Sequence, residues 1–518
     1  MSNINGGEEL KAIFLGIDVG TTKVKSVLFD DSGRELKLAR RSTIPKCSAD
    51  GSMLQDMYLM WDMVAETIAE VVEGSADLGE IKAIGITAQG DGLWLIDKDG
   101  MPLAEAMLWT DGRAASYISK WNEQNILGAS GRVVFAGSPL ALSAWSFDHN
   151  QAIMAKAKYF LFCKDWIKYC LTHAISTDRT DLSDASLISV WTREYDYGLF
   201  DMFGVPKLKE LLPPIQPSQK VIGKITPRAA AKTGLLVGVP VINGMIDVAA
   251  AAIGNGVINS MDACSIVGTT VYNEIVIDDM NVVSQSEHTA ASTICHALDD
   301  RWLMTLGTMV GTPNLDWFIR EFYNNICDLP KIEQSLEKIG PGSGGVIYHP
   351  YLGQGGERAP FVKPSAAAQF FGLKIHHTKE HMLRSVYEGI AYSMKDCYEH
   401  FPVLPKTIRL AGGGSNSDFW CQMFASCVGL PIQISVGNEI GARGAAIAAA
   451  VGIGHFPDYQ TAIAQMVHVK KTYEPIDSEF KVYDDNYELY KELYQSNWES
   501  WDRRESLWKN HALICERK

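Results

Sequence analysis

The chain has 518 residues, 47% of them hydrophobic and 21% charged, enough apolar material for two or three globular domains. Its formal charge of -14 argues against nucleic acid or an anionic membrane as the main partner. The opening "MSNINGGEELK" is polar rather than basic-then-apolar, and the run Gly444 to Gly454 is too short to span a bilayer, so a cytoplasmic protein is expected.

In chain order, "AIFLGIDVG" reads as a buried strand and "VKSVLFD" as a second one. "DDSG" then turns the chain and "RELKLARR" returns, giving three antiparallel strands. "IKAIGITAQG" is a strand that ends in a loop, and "AKYFLFCKDWIKYCLT" becomes a helix. "GVPVINGMIDVAAAAIG" reads as strand, loop and helix. About 250 residues after the first Val-Gly-Thr-Thr a second one occurs, in "CSIVGTTVYNEIVID", a spacing that suggests two similar domains rather than a solenoid. "KTIRLAGGGSNSDFWCQMFASCVG" and "PIQISVGNEIGARGAAIAAAVGIG" each repeat strand, loop and helix, so the architecture is α/β. One domain break is placed near Gly254, giving 1–254 and 255–518. From about Tyr483 to Trp508 aromatic residues recur at helical spacing, predicting a helix that packs on a domain or on a second subunit.

The ten cysteines include no Cys-x-x-Cys pair and read as reduced thiols. "HTKEH", His377 to His381, fits a zinc pattern. Thr378, however, reads as a helix N-cap, which would leave His377 before the helix and pointing elsewhere.

A Gly-Thr-Thr turn between strands offers backbone N–H groups and hydroxyls to a phosphate; alone it is also an ordinary tight turn. Two copies, together with "LAGGGSNS" ahead of a helix, favour a nucleotide, and no Walker A sequence is present. Only the first copy carries an acid before the turn, Asp18, where the second has Ile266. One carboxylate there suits a magnesium ion, whereas a second facing the same polyphosphate would repel it.

Taken in order, "GIDVGTTKVKSVLFD", "ITAQGDGLWLID", "LWTDGRA", "KDWIKYCLT", "GMIDVAAAAIG", "SIVGTT", "GGERAP", "YEGIAYSM", "LAGGGSNSDFWCQMFASCVG" and "NEIGARGAAIAAA" resemble the FGGY carbohydrate kinases. These belong to the actin, hexokinase and acetate-kinase superfamily. The resemblance covers nearly the whole chain. It implies two RNase H-like domains with an inter-domain cleft and ATP-dependent phosphorylation of a sugar or polyol hydroxyl. It implies Asp247 as general base and Asp18 as the acid linked to Mg2+. Gly20, Thr21 and Thr22 match the first phosphate loop, Gly268 and Thr269 the second. Gly311, Gly413 and Ser417 match nucleotide contacts. Gln89, Gly90, Asp91 and Trp109 match the sugar pocket, with Asp111 and Arg113 either lining it or locking its loop.

The expected cycle has Asp247 take the hydroxyl proton, Asp91 orient the sugar, and domain closure exclude water. "AQGDG" departs from the patterns of glycerol and D-xylulose kinases and resembles those of erythritol and L-xylulose kinases. The small Gly90 is read as room for a substrate longer than glycerol, and the acidic pocket as disfavouring sugar acids. A neutral ketopentose such as L-xylulose is favoured, with erythritol or another polyol as the alternative. A non-catalytic actin-like regulator and a nucleotide phosphatase are the rivals. A homodimer through the aromatic helix is a further expectation.

Overall fold

The computed structural model describes residues 11–129, 132–284, 291–323, 328–353 and 355–515; the polar opening stretch 1–10 lies outside the described residues. The chain has a mixed α/β fold built on two seven-stranded sheets.

In the first unit, β1 (Ala12–Val19), β2 (Lys23–Asp30) and β3 (Glu35–Ser42) form the expected antiparallel ribbon. β4 (Glu80–Ala88) lies parallel to β1 on its other side. With β5 (Val221–Lys224), β6 (Pro240–Ile242) and the short β7 (Met245–Ile246), the sheet runs β5-β6-β4-β1-β2-β3, and β7 extends along the end of β4. Ile13, Leu15, Ile17, Val24, Leu28, Ile84 and Ile86 are fully buried along its inner strands. Their near-continuous apolar runs are those of strands covered on both faces.

The second unit repeats the ribbon. β8 (Ala263–Val267) pairs antiparallel with β9 (Val271–Ile277) and parallel with β10 (Ile408–Ala411), followed by β11 (Ile432–Ser435) and β12 (Val469–Tyr473). The registers differ by one residue: Asp18 stands opposite Lys25, seven residues on, whereas Ile266 stands opposite Tyr272, six residues on, so the second turn is one residue shorter.

A single break near Gly254 does not describe the packing. The chain up to Ile258, with Thr293–Leu303 and Gly437–His468, forms one compact unit, and the remainder forms the other. The cause is backbone-close packing of the helix Ile440–Gly452. A Cβ on Gly16 of β1 would fall on the carbonyl of Ala442, and one on Gly85 of β4 on that of Ala445. The same helix crosses the helix Asp247–Gly254, where Gly254 meets the carbonyl of Ile440 and Gly444 that of Ala250. Glycine at these four places removes the side chains that would separate the elements.

The C-terminal aromatic run is two helices, Asp477–Ser496 and Trp498–Cys515. Tyr483, Tyr487, Tyr490, Tyr494 and Trp501 are buried within the second unit, while Trp508 is 74% exposed. The Tyr487 hydroxyl donates to Asp396 at 2.9 Å and Tyr490 pairs with the Tyr351 hydroxyl at 2.8 Å, so the stripe is consumed inside its own unit. All cysteines with described side chains are free thiols. Among the described residues no helix is long and apolar enough to cross a membrane.

Candidate active site

Three strand ends converge in the first unit. β1 delivers Asp18 and the Gly20–Thr22 turn, β4 delivers Gln89, Gly90 and Asp91, and β7 delivers Asp247. Val19 and Ile246 both stand opposite Ala88, so the next residues emerge side by side from parallel strands. Carboxyl ends of parallel strands are where open α/β sheets bind ligands.

Asp247 is the first residue of its helix; the cap position is Ile246. Its Oδ1 accepts the Val248 N–H at 2.8 Å. Burial, then the charges of Asp18 and Asp184, push its carboxyl up to about 7, against the pull of those backbone N–H groups. The loop before it is held from below. Lys168 Nζ, wholly buried, donates to the Asn243 side chain at 2.5 Å, to the Ser176 carbonyl at 2.8 Å and to Asp165 at 3.0 Å. Asn243 Nδ2 donates to the carbonyls of Thr177 and Gln216, and the Ile246 N–H to Thr180 Oγ1.

Asp18 faces Lys25 Nζ at 3.5 Å, and the same ammonium lies 2.6 Å from Glu439. Burial and Glu439 raise the Asp18 carboxyl against the pull of Lys25. Among the described residues no group of three or more His, Cys, Asp or Glu could hold a metal ion. Asp18 and Glu439, which share the Lys25 ammonium, are carboxylate oxygen donors of the kind that suit a magnesium ion.

Asp91 is buried in a left-handed conformation, φ 54°. Arg132 Nη1 and Nη2 each reach its Oδ2 at 3.2 Å, and Nη2 also reaches Asp184 Oδ1 at 3.2 Å. Burial raises the Asp91 carboxyl, Arg132 lowers it and Asp184 raises it, with a net upward result. Sequence reasoning missed Arg132, Asp184, Lys25 and Lys168; each is joined to the site only by the fold.

Gly90 does not leave room for a substrate. A Cβ there would overlap the Cδ1 of Ile246, so its smallness is taken up by that side chain. Gly92, φ +77°, is required because a Cβ would press on the Met107 carbonyl. The Arg113 guanidinium holds the Asp111 carboxylate in a fork, Nε to Oδ1 at 3.0 Å and Nη2 to Oδ2 at 2.7 Å, and the Arg113 backbone N–H also donates to Oδ1. Asp111 also accepts the Met53 N–H, and the Arg113 guanidinium lies over the Trp145 ring. This pair locks the loop that carries Trp109. The Trp109 indole N–H donates to Thr21 Oγ1 at 2.9 Å, and Thr21 Oγ1 donates to Gln89 Oε1 at 2.7 Å.

The two Gly-Thr-Thr turns are each closed by the glycine N–H, the second one residue tighter than the first. The Gly20 N–H donates to the Lys23 carbonyl and the Gly268 N–H to the Thr270 carbonyl, each at 2.9 Å. Thr22 and Thr269 are exposed at the tips. Gly311 backs the second turn: a Cβ there would fall on the carbonyls of Gly268 and Thr269, and the Thr312 N–H donates to Gly268 at 2.8 Å. Gly413 opens on free space, while Gly412, φ +85°, lies against the backbone of Val267. Ser417 caps the helix Asp418–Val428 by accepting the Trp420 N–H at 3.0 Å and donates to Glu333 at 2.7 Å, so its hydroxyl is engaged in the second unit's own structure. Glu357 of "GGERAP" is buried, accepts three backbone N–H groups from Met309, Arg358 and Ala359, and is pushed by burial up to about 7.

His377 does not point away from His381. Their ring centroids are 5.3 Å apart, with Thr378 capping the helix Lys379–Glu399. Both rings are engaged locally: His377 with Gly344 and Lys374, His381 with Thr378.

Residues 13–254 match the FGGY family of carbohydrate kinases, N-terminal domain, and residues 264–453 the C-terminal domain of the same family. A probable L-xylulose kinase of Haemophilus influenzae is 28% identical over 507 residues, covering 93% of this chain and 98% of that one. The erythritol kinase of Brucella abortus is 30% identical over 476 residues, covering 88% and 90%. Crystal structures of a gluconate kinase and of a ligand-bound xylulose kinase, both from Lactobacillus acidophilus, each superpose with a TM-score of 0.87 at 25% identity, covering 95% of this chain and 99% of theirs. The chain belongs to the FGGY family of carbohydrate kinases.

Proposed function

We propose that this kinase transfers the γ-phosphoryl group of ATP to a hydroxyl of a neutral ketopentose or short polyol, with Asp247 as the general base. The observation that carries the proposal is the setting of Asp247. It is the first residue of a helix, and burial together with two nearby carboxylates raises it to about 7, where a base exchanges protons near neutral pH. A regulator that only binds nucleotide has no use for such a group.

The substrate hydroxyl gives its proton to an Asp247 carboxylate oxygen, its oxygen takes the phosphoryl group, and ADP leaves. Asp91 and Asp184, tied together by Arg132, act as acceptors for other hydroxyls of the substrate. The exposed turns at Thr22 and at Thr269 each offer backbone N–H groups of the kind that bind phosphate. Asp18 is the residue that would hold magnesium, which neutralises phosphate charge when it arrives with the nucleotide.

The state of Arg132 supports neutrality of the substrate. Its guanidinium is committed to two carboxylates, so the carboxylate of a sugar acid would have to displace one of them. The relatives named L-xylulose kinase and erythritol kinase support a substrate of four or five carbons, with L-xylulose first. Gly90, filled by Ile246, adds nothing to that length argument.

A coupled ADP-release assay over three- to six-carbon polyols, ketoses and gluconate tests the proposal. The best kcat/KM should belong to a neutral ketopentose or to a four- or five-carbon polyol. Gluconate or glycerol as best substrate would overturn the pocket reading. Absence of sugar-dependent ADP release across the panel would overturn the kinase reading itself.

A further inference from the structure

The Thr21 hydroxyl sits in the turn assigned to phosphate, yet its hydrogen bonds lead elsewhere. An indole N–H can only donate, so Trp109 occupies a lone pair of Thr21 Oγ1, at 2.9 Å. The single hydroxyl proton of Thr21 must then go to an acceptor, and the group in reach is the Gln89 side chain at 2.7 Å. That atom is therefore the amide oxygen, which turns the amide nitrogen the other way. Gln89 Nε2 is buried without a hydrogen-bond partner of normal geometry. The buried Cys163 thiol lies beside the Gln89 side chain and, as a weak acceptor, would serve at most one of the two amide hydrogens. Buried amide donors in folded proteins are satisfied, by protein, water or ligand.

The place of Gln89 gives the missing acceptor a chemical class. Gln89 follows Ala88, which stands opposite Ile246, so Gln89 and Asp247 emerge next to each other. The Gln89 N–H accepts no alternative role, since it already donates to the Val19 carbonyl at 2.9 Å. An amide donor beside the base suits a neutral carbonyl or hydroxyl oxygen of the sugar.

We infer that Thr21 and Trp109 are positioning residues for sugar binding. Together they fix the polarity of the Gln89 amide so that Nε2 donates to a substrate oxygen, and the Thr21 hydroxyl is not a phosphate ligand. This rests on the kinase reading above. It also ties the first phosphate turn to the sugar loop through a single proton.

The test is Thr21→Val, which keeps shape and removes the hydroxyl, assayed with ATP and the best substrate from the panel. The sugar KM should rise by about 10-fold or more, the usual result of leaving a polar group of the site unpaired. The ATP KM should change by less than about 3-fold, on the same reasoning. Thr21→Ser should retain most of the sugar affinity, and Trp109→Phe should weaken it in the same direction as Thr21→Val. Should Thr21→Val fold poorly, the Thr21→Ser and Trp109→Phe pair decides, read by the split between the two KM values. A rise confined to the ATP KM, or no change in either KM, overturns the inference. Neither result would touch the kinase reading, which stands or falls on sugar-dependent ADP release by the unaltered enzyme.

Discussion

Asp247→Asn should make the protein a far poorer enzyme and a more stable one, with a stability gain that depends on pH. Asparagine keeps the oxygen that accepts the Val248 N–H, so the helix start survives. It cannot take a proton, and turnover should fall about 10²–10⁴-fold, the usual worth of a general base. The Asp247 carboxyl rises from an ordinary 3.8 to about 7 in the fold. A rise of that size corresponds to about 4 kcal/mol against the charged form. Asp247 is partly open to solvent, which reduces the cost to about 1–3 kcal/mol. The sign follows from proton binding. Between the two pKa values the folded chain holds the proton more firmly than the unfolded chain, so stability falls as pH rises through that window. The full cost is present above about 7 and vanishes below the unfolded value. Urea unfolding of both proteins should therefore show the Asn variant gaining about 1–2 kcal/mol on the native enzyme between about pH 5 and about pH 8. A gap that stays constant over this range, or turnover within a few-fold of native, would refute the assignment of Asp247 as a strained base.

Arg132→Met leaves Asp91 and Asp184 without their shared cation. One of them should then stay protonated near neutral pH, and the sugar KM should rise by about 10-fold or more and acquire a pH dependence absent from the ATP KM; equal changes in both KM values would show a structural role only. Gly90→Ala should cost about 1–3 kcal/mol of stability through overpacking on Ile246 and lower sugar affinity. Ile246→Val in the same chain should recover part of both, measured by urea unfolding and substrate titration.

The sequence was most legible where chemistry follows from contiguous residues. The three-strand ribbon, the second Gly-Thr-Thr turn and the strand-to-helix passage before Asp247 all carry local signals: alternation, glycine, and a change of period from two to 3.6. Arg132 could not be found that way. It lies in a stretch with no periodic pattern, and its partners Asp91 and Asp184 are distant along the chain. Lys25 carries no signal of its own in the sequence, and only register sets it opposite Asp18. Gly90 was misread because a glycine signals that something comes close without saying what. Here it is a neighbouring Ile246 rather than a ligand. The aromatic run near the C-terminus kept its helical spacing across Asn497, so the division into two helices left no trace in the pattern.

The return of Gly437–His468 to the first unit bears on how the protein is made. Strands β1 and β4 leave the ribosome with bare glycine positions, Gly16 and Gly85, that the helix Ile440–Gly452 covers in the folded protein. That helix is synthesised on the order of 400 residues after β1, a separation that delays closure of the core and favours slow folding. Until then the nascent unit exposes an apolar sheet surface. The surroundings of Asp18, which meets Gly441 of that helix and shares Lys25 with Glu439, are therefore completed only after most of the chain has been made.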